Sequence, residues 1–363
     1  MIQRPRGTRD FGPAEMSRRR KAEQAMRDIC HRFGFGEVVT PTFEQSELFT
    51  LRSGQSIIDE MYVFKDKGDR EMALRPEITA SVIRFFVSEM SNQPKPLKLY
   101  YVGNCFRYEN PQSGRYREFF QLGAELVGSE NPETDAEVIS LAVHCIRASG
   151  LQDFRVRVGH IGVMKSLVLR EVQDPVVAGK VLRMVDKEDF TAMGDMFDAN
   201  SLSRNLFDRI TTLADTRGGT EILDNVDDVE AQQYLKELFE ILKLQGVEDV
   251  ELDLGIVRGL DYYTGMVFEI DAPKLGAEKQ ILGGGSYTLS ELFGGEAVFS
   301  TGFAIGIDRV MLALEAEQEP PEYTPLDAYV VPTEDAMRKY AFAIVSKIRS
   351  CLLYTSPSPR DRS

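Results

Sequence analysis

The chain has 363 residues, enough for two or three domains with cores of their own. Apolar residues make up 43% and charged residues 28%, no apolar run reaches the roughly 18 residues of a membrane helix, and the charged first ten residues exclude a secretory signal. A net charge of -14 and a pI of about 4.9 argue against a broadly basic nucleic-acid-binding surface, so any such contact must gather its cations locally.

Residues 13–33 have apolar side chains at helical spacing (Ala22, Met26, Ile29, Cys30, Phe33), with Pro13 suited to a first turn and Gly34 to a C-terminal cap. Gly36 to Pro41 reads as a strand. Residues 98–109 and 116–127 also read as strands, and the polar, glycine-bearing segment between them predicts an antiparallel hairpin. Residues 134–149 predict a helix. From 164 to 246, charge-rich helical periodicity predicts an inserted helical module. Strand character returns at 266–271 (MVFEID) and runs into a glycine-dense stretch from Gly283 to Gly306. Residues 302–316 read as a helix. Pro320 and Pro321 mark a linker, and 325–350 read as the start of a second, α/β domain. Residues 351–363 (CLLYTSPSPRDRS) do not continue that helix and resemble a translated sequencing adapter, so a non-native tail on a truncated last domain is expected.

The scattered cysteines Cys30, Cys105, Cys145 and Cys351 form no Cys-x-x-Cys pair, and only three histidines are present. This argues against a structural zinc site and fits a reducing cytoplasm.

The hairpin carries the chemistry. With period-two alternation, Arg117, Phe119, Gln121, Gly123 and Glu125 share one face, while Phe120, Leu122, Ala124 and Leu126 share an apolar one. Cys105, Arg107 and Glu109 face the same way from the first strand. A cation, an aromatic ring, an amide and a carboxylate on one sheet face need partners, and a bound ligand supplies them. Gly302, Gly306 and Arg309 stand at helical spacing, which predicts a helix lying close to the sheet with Arg309 reaching past its edge.

FRYENPQSGRYREFFQLGAELVG at 106–128 resembles motif 2 of the histidyl-tRNA synthetases. LRPEITA at 74–80, RGLDYYTG at 258–265, GFAIGIDR at 302–309 and PRGTRDFGP at 5–13 resemble four further segments of that family, in the same order. The resemblance covers about residues 2–350. It implies an α+β, class II aminoacyl-tRNA synthetase catalytic fold: an antiparallel sheet flanked by helices, split into 1–163 and 247–319, with a helical insertion at 164–246 over the tRNA acceptor arm. The start of an α/β anticodon-binding domain would follow at 325–350.

It also implies an activity: ATP, with Mg²⁺, activates L-histidine, and the histidyl group passes to tRNA(His). Arg107 would hold the α-phosphate and Arg309 the far side of ATP. Phe119 would stack on adenine, Glu109 would meet its amine, and Arg115 would add a cation. Arg258 would act on the carboxylate and α-phosphate, making it, with Arg107, catalytic. Glu125 and Tyr263 would take the imidazole nitrogens. Glu77, Thr79 and Gln121 would hold the α-amino group, and Tyr262 and Tyr287 would complete the pocket. Gln112 would read the tRNA. No resident metal site is implied. A cytoplasmic homodimer through the first helix and strand, with no membrane association, follows from the same resemblance. The chemistry suits arginine: two anions must meet, and a planar guanidinium holds phosphate or carboxylate through two bonds.

Two departures stand out. Ser286 and Thr288 occupy positions where many bacterial relatives carry Arg and Asp, and Asn110 stands where relatives often carry a basic residue, so those contacts are not carried over. Two other readings compete. One is a catalytically silent paralogue, the regulatory subunit of ATP phosphoribosyltransferase, which binds histidine as an effector. The other is a tRNA-sensing module of a larger regulatory protein. The intact RGLDYYTG segment and the motif 2 arginines favour the enzyme.

Overall fold

Alternation along the two long hairpin strands decides how the molecule is layered. A computed structural model of the chain describes residues 2–51, 58–110, 114–256, 263–317 and 330–354. Gln112, Arg258, Asp261 and Tyr262, and residues 326–329 of the expected second-domain strand, lie outside them.

The strands are β1 (Gly36–Glu37), β2 (Phe43–Gln45), β3 (Val63–Lys65), β4 (Glu71–Leu74), β5 (Leu97–Phe106), β6 (Glu118–Val127), β7 (Arg155–His160), β8 (Arg217–Gly218), β9 (Val250–Asp253), β10 (Tyr263–Asp271), β11 (Gln280–Tyr287) and β12 (Ser300–Gly306). The helices are α1 (Pro13–Arg32), α2 (Glu47–Thr50), α3 (Thr79–Phe85), α4 (Pro132–Ser149), α5 (Ile161–Glu171), α6 (Pro175–Asp186), α7 (Phe190–Ala199), α8 (Arg204–Ala214), α9 (Val229–Leu244), α10 (Ile307–Glu317) and α11 (Arg338–Tyr354).

One sheet runs β1-β5-β6-β12-β11-β10-β7-β9-β8. Its six central strands are antiparallel neighbours, while β1 joins β5 and β9 joins β7 in parallel. The expected hairpin is β5–β6, with Leu99 opposite Glu125 and Cys105 opposite Phe119. Leu122, Ala124 and Leu126 pack into the main core with α1, α4 and α9, so the other face of β6 is left for chemistry. Pro13 opens α1, and Gly34, at φ 80°, ends it, as its position after the last apolar residue predicts. Asn131 caps α4 by accepting from the Thr134 amide at 2.8 Å.

Three expectations are corrected. Residues 300–306 are strand β12, and the helix starts only at Ile307. Phe303 and Ile305 point into the core while Gly302, Ala304 and Gly306 turn the other way, which is period two; the spacing of Gly302, Gly306 and Arg309 matches a helix by coincidence. The first hairpin strand ends at Phe106 instead of Glu109. Arg107 still donates its amide to the Arg117 carbonyl at 3.0 Å, but the Tyr108 amide turns to the Glu60 carbonyl at 2.7 Å and ends the pairing. Of Gly36 to Pro41, only Gly36–Glu37 is strand.

Residues 164–246 divide between two cores. Helices α5 to α8 enclose a cluster of their own that includes Met164, Val181, Phe197 and Ile210. Helix α9 puts Leu235, Leu238 and Leu242 into the main core. The chain parts into two units at 319/320; in the second, α11 leaves Tyr340 and Phe342 mostly exposed.

Candidate active site

The open face of β6 builds the site. Glu125 sits there only 1% exposed, and three hydroxyls converge on it. Thr79 donates to one carboxylate oxygen at 2.7 Å and Tyr101 to the same oxygen at 3.2 Å, while Tyr287 donates to the other at 2.6 Å. Burial pushes the Glu125 carboxyl up to about 8, Glu77 adds to the rise, and the hydroxyls oppose it. Neighbouring strands must leave room for this carboxylate. Gly302, opposite Glu125 on β12, does so, since a Cβ there would fall inside the carboxylate. Gly123 makes the same kind of space for the Tyr101 ring.

Glu77 starts α3 by accepting from the Ala80 amide at 3.0 Å and 3.2 Å. Its carboxyl is raised by burial, against the pull of Ala80 and Arg107. Gln121 accepts from the Cys105 thiol at 3.2 Å, and burial pushes that thiol up to about 12, so it remains a donor. Tyr263 is raised by burial, with Glu125 and Glu77 adding to it.

Beyond this acid cluster opens a cavity of about 470 Å³. Arg107, Glu109, Arg115, Phe119, Gln121, Tyr263 and Arg309 all line it. The cations are held in place. Arg107 donates to the Pro76 carbonyl at 3.0 Å and lies 5.4 Å from the Phe119 ring centre. Arg309 donates to the carbonyls of Gly114 at 3.2 Å and Gln280 at 2.5 Å. Arg115 stands 3.6 Å from Glu109. The tertiary structure therefore gathers the expected cations Arg107, Arg115 and Arg309 around one cavity, and Thr79, Glu125 and Tyr287 into a hydrogen-bonded cluster on the same face of the sheet.

Sequence reasoning missed Tyr101, Glu60, Glu269 and Gln280. Tyr101 had a signal: counting back by two from Cys105 on the same strand reaches Gly103 and then Tyr101. Glu60 comes from a segment with no motif, and the fold alone brings it to the cavity wall. Ser286, whose role was open, points through the sheet away from Tyr287. Its hydroxyl donates to both oxygens of the buried Asp135 on α4, at 2.9 Å and 2.8 Å.

A large, mostly antiparallel sheet flanked by helices, with an arginine-lined cavity on its open face, is the architecture of the class II aminoacyl-tRNA synthetase catalytic fold. The profile of one family within that class, histidyl-tRNA synthetase, matches residues 7–310. A histidine–tRNA ligase of Archaeoglobus fulgidus is 51% identical over 318 residues, covering 87% of this chain and 77% of the relative. Its counterpart in Methanoregula boonei is 50% identical over 314 residues, covering 86% and 75%. Among solved structures, an ATP phosphoribosyltransferase regulatory subunit/histidyl-tRNA synthetase from Bacillus halodurans superposes with a TM-score of 0.84 at 27% identity, covering 96% of this chain and 90% of that one. The apo histidyl-tRNA synthetase of S. aureus gives 0.67 at 30% identity, covering 96% and 81%. This chain belongs to the histidyl-tRNA synthetase family.

Proposed function

We propose that this chain activates L-histidine with ATP and transfers the histidyl group to the 3′ end of tRNA(His). Glu125 carries this reading: a buried carboxylate positioned by three hydroxyls, on the same face of β6 as Phe119 and Gln121, which line the cavity together with Arg107 and Arg309. An imidazole N–H adds a donor beside the buried acid that an apolar side chain cannot supply, which selects histidine. Tyr263 takes the second ring nitrogen, and Thr79, Glu77 and Gln121 hold the α-amino group.

A histidine carboxylate oxygen attacks the α-phosphorus of ATP and pyrophosphate leaves. The terminal tRNA 3′-hydroxyl then attacks the adenylate carbonyl and AMP leaves. Arg107 steadies the α-phosphate, Arg309 and Arg115 the outer phosphates, and Phe119 and Glu109 the adenine. Arg258 joins Arg107 at the reacting centre; Ile256 and Tyr263, the described residues on either side of its segment, both line the cavity. Tyr262 belongs to the same segment. Glu60, on the cavity wall, would stand at the edge of a Mg²⁺ ion brought in by the phosphates, which would supply neutralisation of their charge. Gln112 reads the tRNA, and helices α5 to α8, the greater part of the expected insertion, cover its acceptor arm.

The working form is a cytoplasmic homodimer through the first helix and strand, an interface that the small sheet next in the chain extends. Exposed Phe43 and Phe64, with ring centres 6.2 Å apart on the small β2-β4-β3 sheet, support an interface there. No described helix is long and apolar enough to cross a membrane.

Exchange of labelled pyrophosphate into ATP, run with each of the twenty amino acids, tests the reading. Exchange with histidine alone is expected, and Arg258→Ala should lower it by about 10²-fold or more while sparing histidine binding. Histidine binding without any exchange would favour the reading as a regulatory subunit of ATP phosphoribosyltransferase, the first of the two functions under which the Bacillus halodurans relative is described.

A further inference from the structure

Arg19 and Asp308 stand 289 residues apart in sequence and form a buried ion pair at 2.7 Å. The free oxygen of Asp308 accepts from the Phe120 amide at 2.8 Å. Phe120 lies between Phe119 and Gln121, and Asp308 directly precedes Arg309. One carboxylate thus sets the strand that carries the adenine platform against the helix that carries a phosphate cation. Asp308 also lines the cavity, where an unpaired negative charge would repel a triphosphate; Arg19 neutralises it.

Arg19 is held in turn by the N-terminal segment. Its guanidinium lies 4.7 Å from the Phe11 ring centre and 4.6 Å from that of Phe120, and the two rings meet edge to face. Arg9 lies between Phe11 at 5.0 Å and Tyr116 at 5.1 Å and pairs with Glu15. The Gly7 carbonyl accepts from the Arg117 amide at 2.8 Å, and the Arg117 carbonyl accepts from the Arg107 amide at 3.0 Å. A continuous line of contacts therefore runs from the first dozen residues to Arg107 and to the helix turn that carries Arg309. Arg9, Phe11 and Arg19 do not themselves line the cavity.

We propose that Arg19 and Asp308, braced by Arg9 and Phe11, are positioning residues for the nucleotide: the segment 5–12 is a strap that sets Arg107, Phe119 and Arg309 for ATP without touching it. The proposal rests on the cavity's taking ATP.

The test is pyrophosphate exchange by the full chain, with KM measured separately for ATP and for histidine. Arg19→Ala should raise KM for ATP about tenfold or more and leave KM for histidine within about twofold, because only the nucleotide side is displaced. Arg19→Lys, which keeps the charge and loses the planar stacking, should fall between Arg19→Ala and the unaltered protein. Arg19→Ala leaves a buried acid uncompensated and can fail to fold. Arg9→Gln and Phe11→Leu decide the matter in that event, each expected to raise KM for ATP selectively by about threefold with an unchanged melting temperature.

A parallel rise in both KM values, or no change in either in folded Arg9→Gln and Phe11→Leu, overturns the proposal. In that case the unaltered chain still exchanges, and the ATP reading survives. If the unaltered chain neither exchanges nor binds ATP, the ATP reading fails and the strap proposal falls with it.

Discussion

Glu125 holds two properties in tension. Its hydroxyl partners are arranged around an acceptor, yet burial lifts its carboxyl to about 8, far above the roughly 4.3 of an unfolded chain. The sign follows. Stability linked to this group is fully present below the unfolded value and is lost as pH rises through about 8, because ionising a buried acid opposes folding. An imidazole N–H favours the ionised form. At pH 7, where free histidine is largely neutral at a pKa of about 6.5, binding should therefore release a proton from Glu125. Calorimetry in buffers of different ionisation enthalpy measures that proton; its persistence in Glu125→Gln would remove the acid from this role. Gly302→Ala belongs to the same scale. The added methyl must displace the Glu125 carboxylate, so histidine affinity should fall more than stability, which drops by about 1–3 kcal/mol. Wild-type histidine affinity in a folded Gly302→Ala protein would contradict the geometry.

At the scale of elements, α5 to α8 form a four-helix unit with its own core, inserted between β7 and β8. Both strands pair with β9, and Val158, Leu252 and Gly218 stand in one row. The chain therefore leaves and re-enters the sheet about 10 Å apart, two strand spacings. Replacing 165–212 with a short Gly/Ser linker, which spares Ile161 and Val163 of the sheet-side cores, should preserve histidine-dependent pyrophosphate exchange and abolish efficient tRNA charging. Loss of exchange in a folded product would show that the unit supports activation as well. Helix α9 must stay, since its leucines belong to the main core.

For the whole molecule, light scattering after size exclusion should report twice the chain mass of 40.9 kDa, and Phe43→Lys with Phe64→Lys should shift it towards one copy. An unaltered mass after both changes would place any interface elsewhere. The net charge of -14 leaves little general attraction for tRNA, so charging should depend only shallowly on salt, because the slope scales with the number of phosphates that a few local cations neutralise.

Sequence by itself determined the hairpin and its two faces, because period-two alternation is a local property that any strand of this composition obeys. It determined the motif residues too, and the structure gathers Arg107, Glu109, Arg115, Phe119 and Arg309 around one cavity. Only the tertiary structure decided that 302–306 is a strand seating Glu125, that Tyr101 is its third hydroxyl partner, and that Arg19 meets Asp308. Those facts depend on which strand lies beside which. Gly302 has no side chain to record what it makes room for, and a pair separated by 289 residues leaves no local period to read.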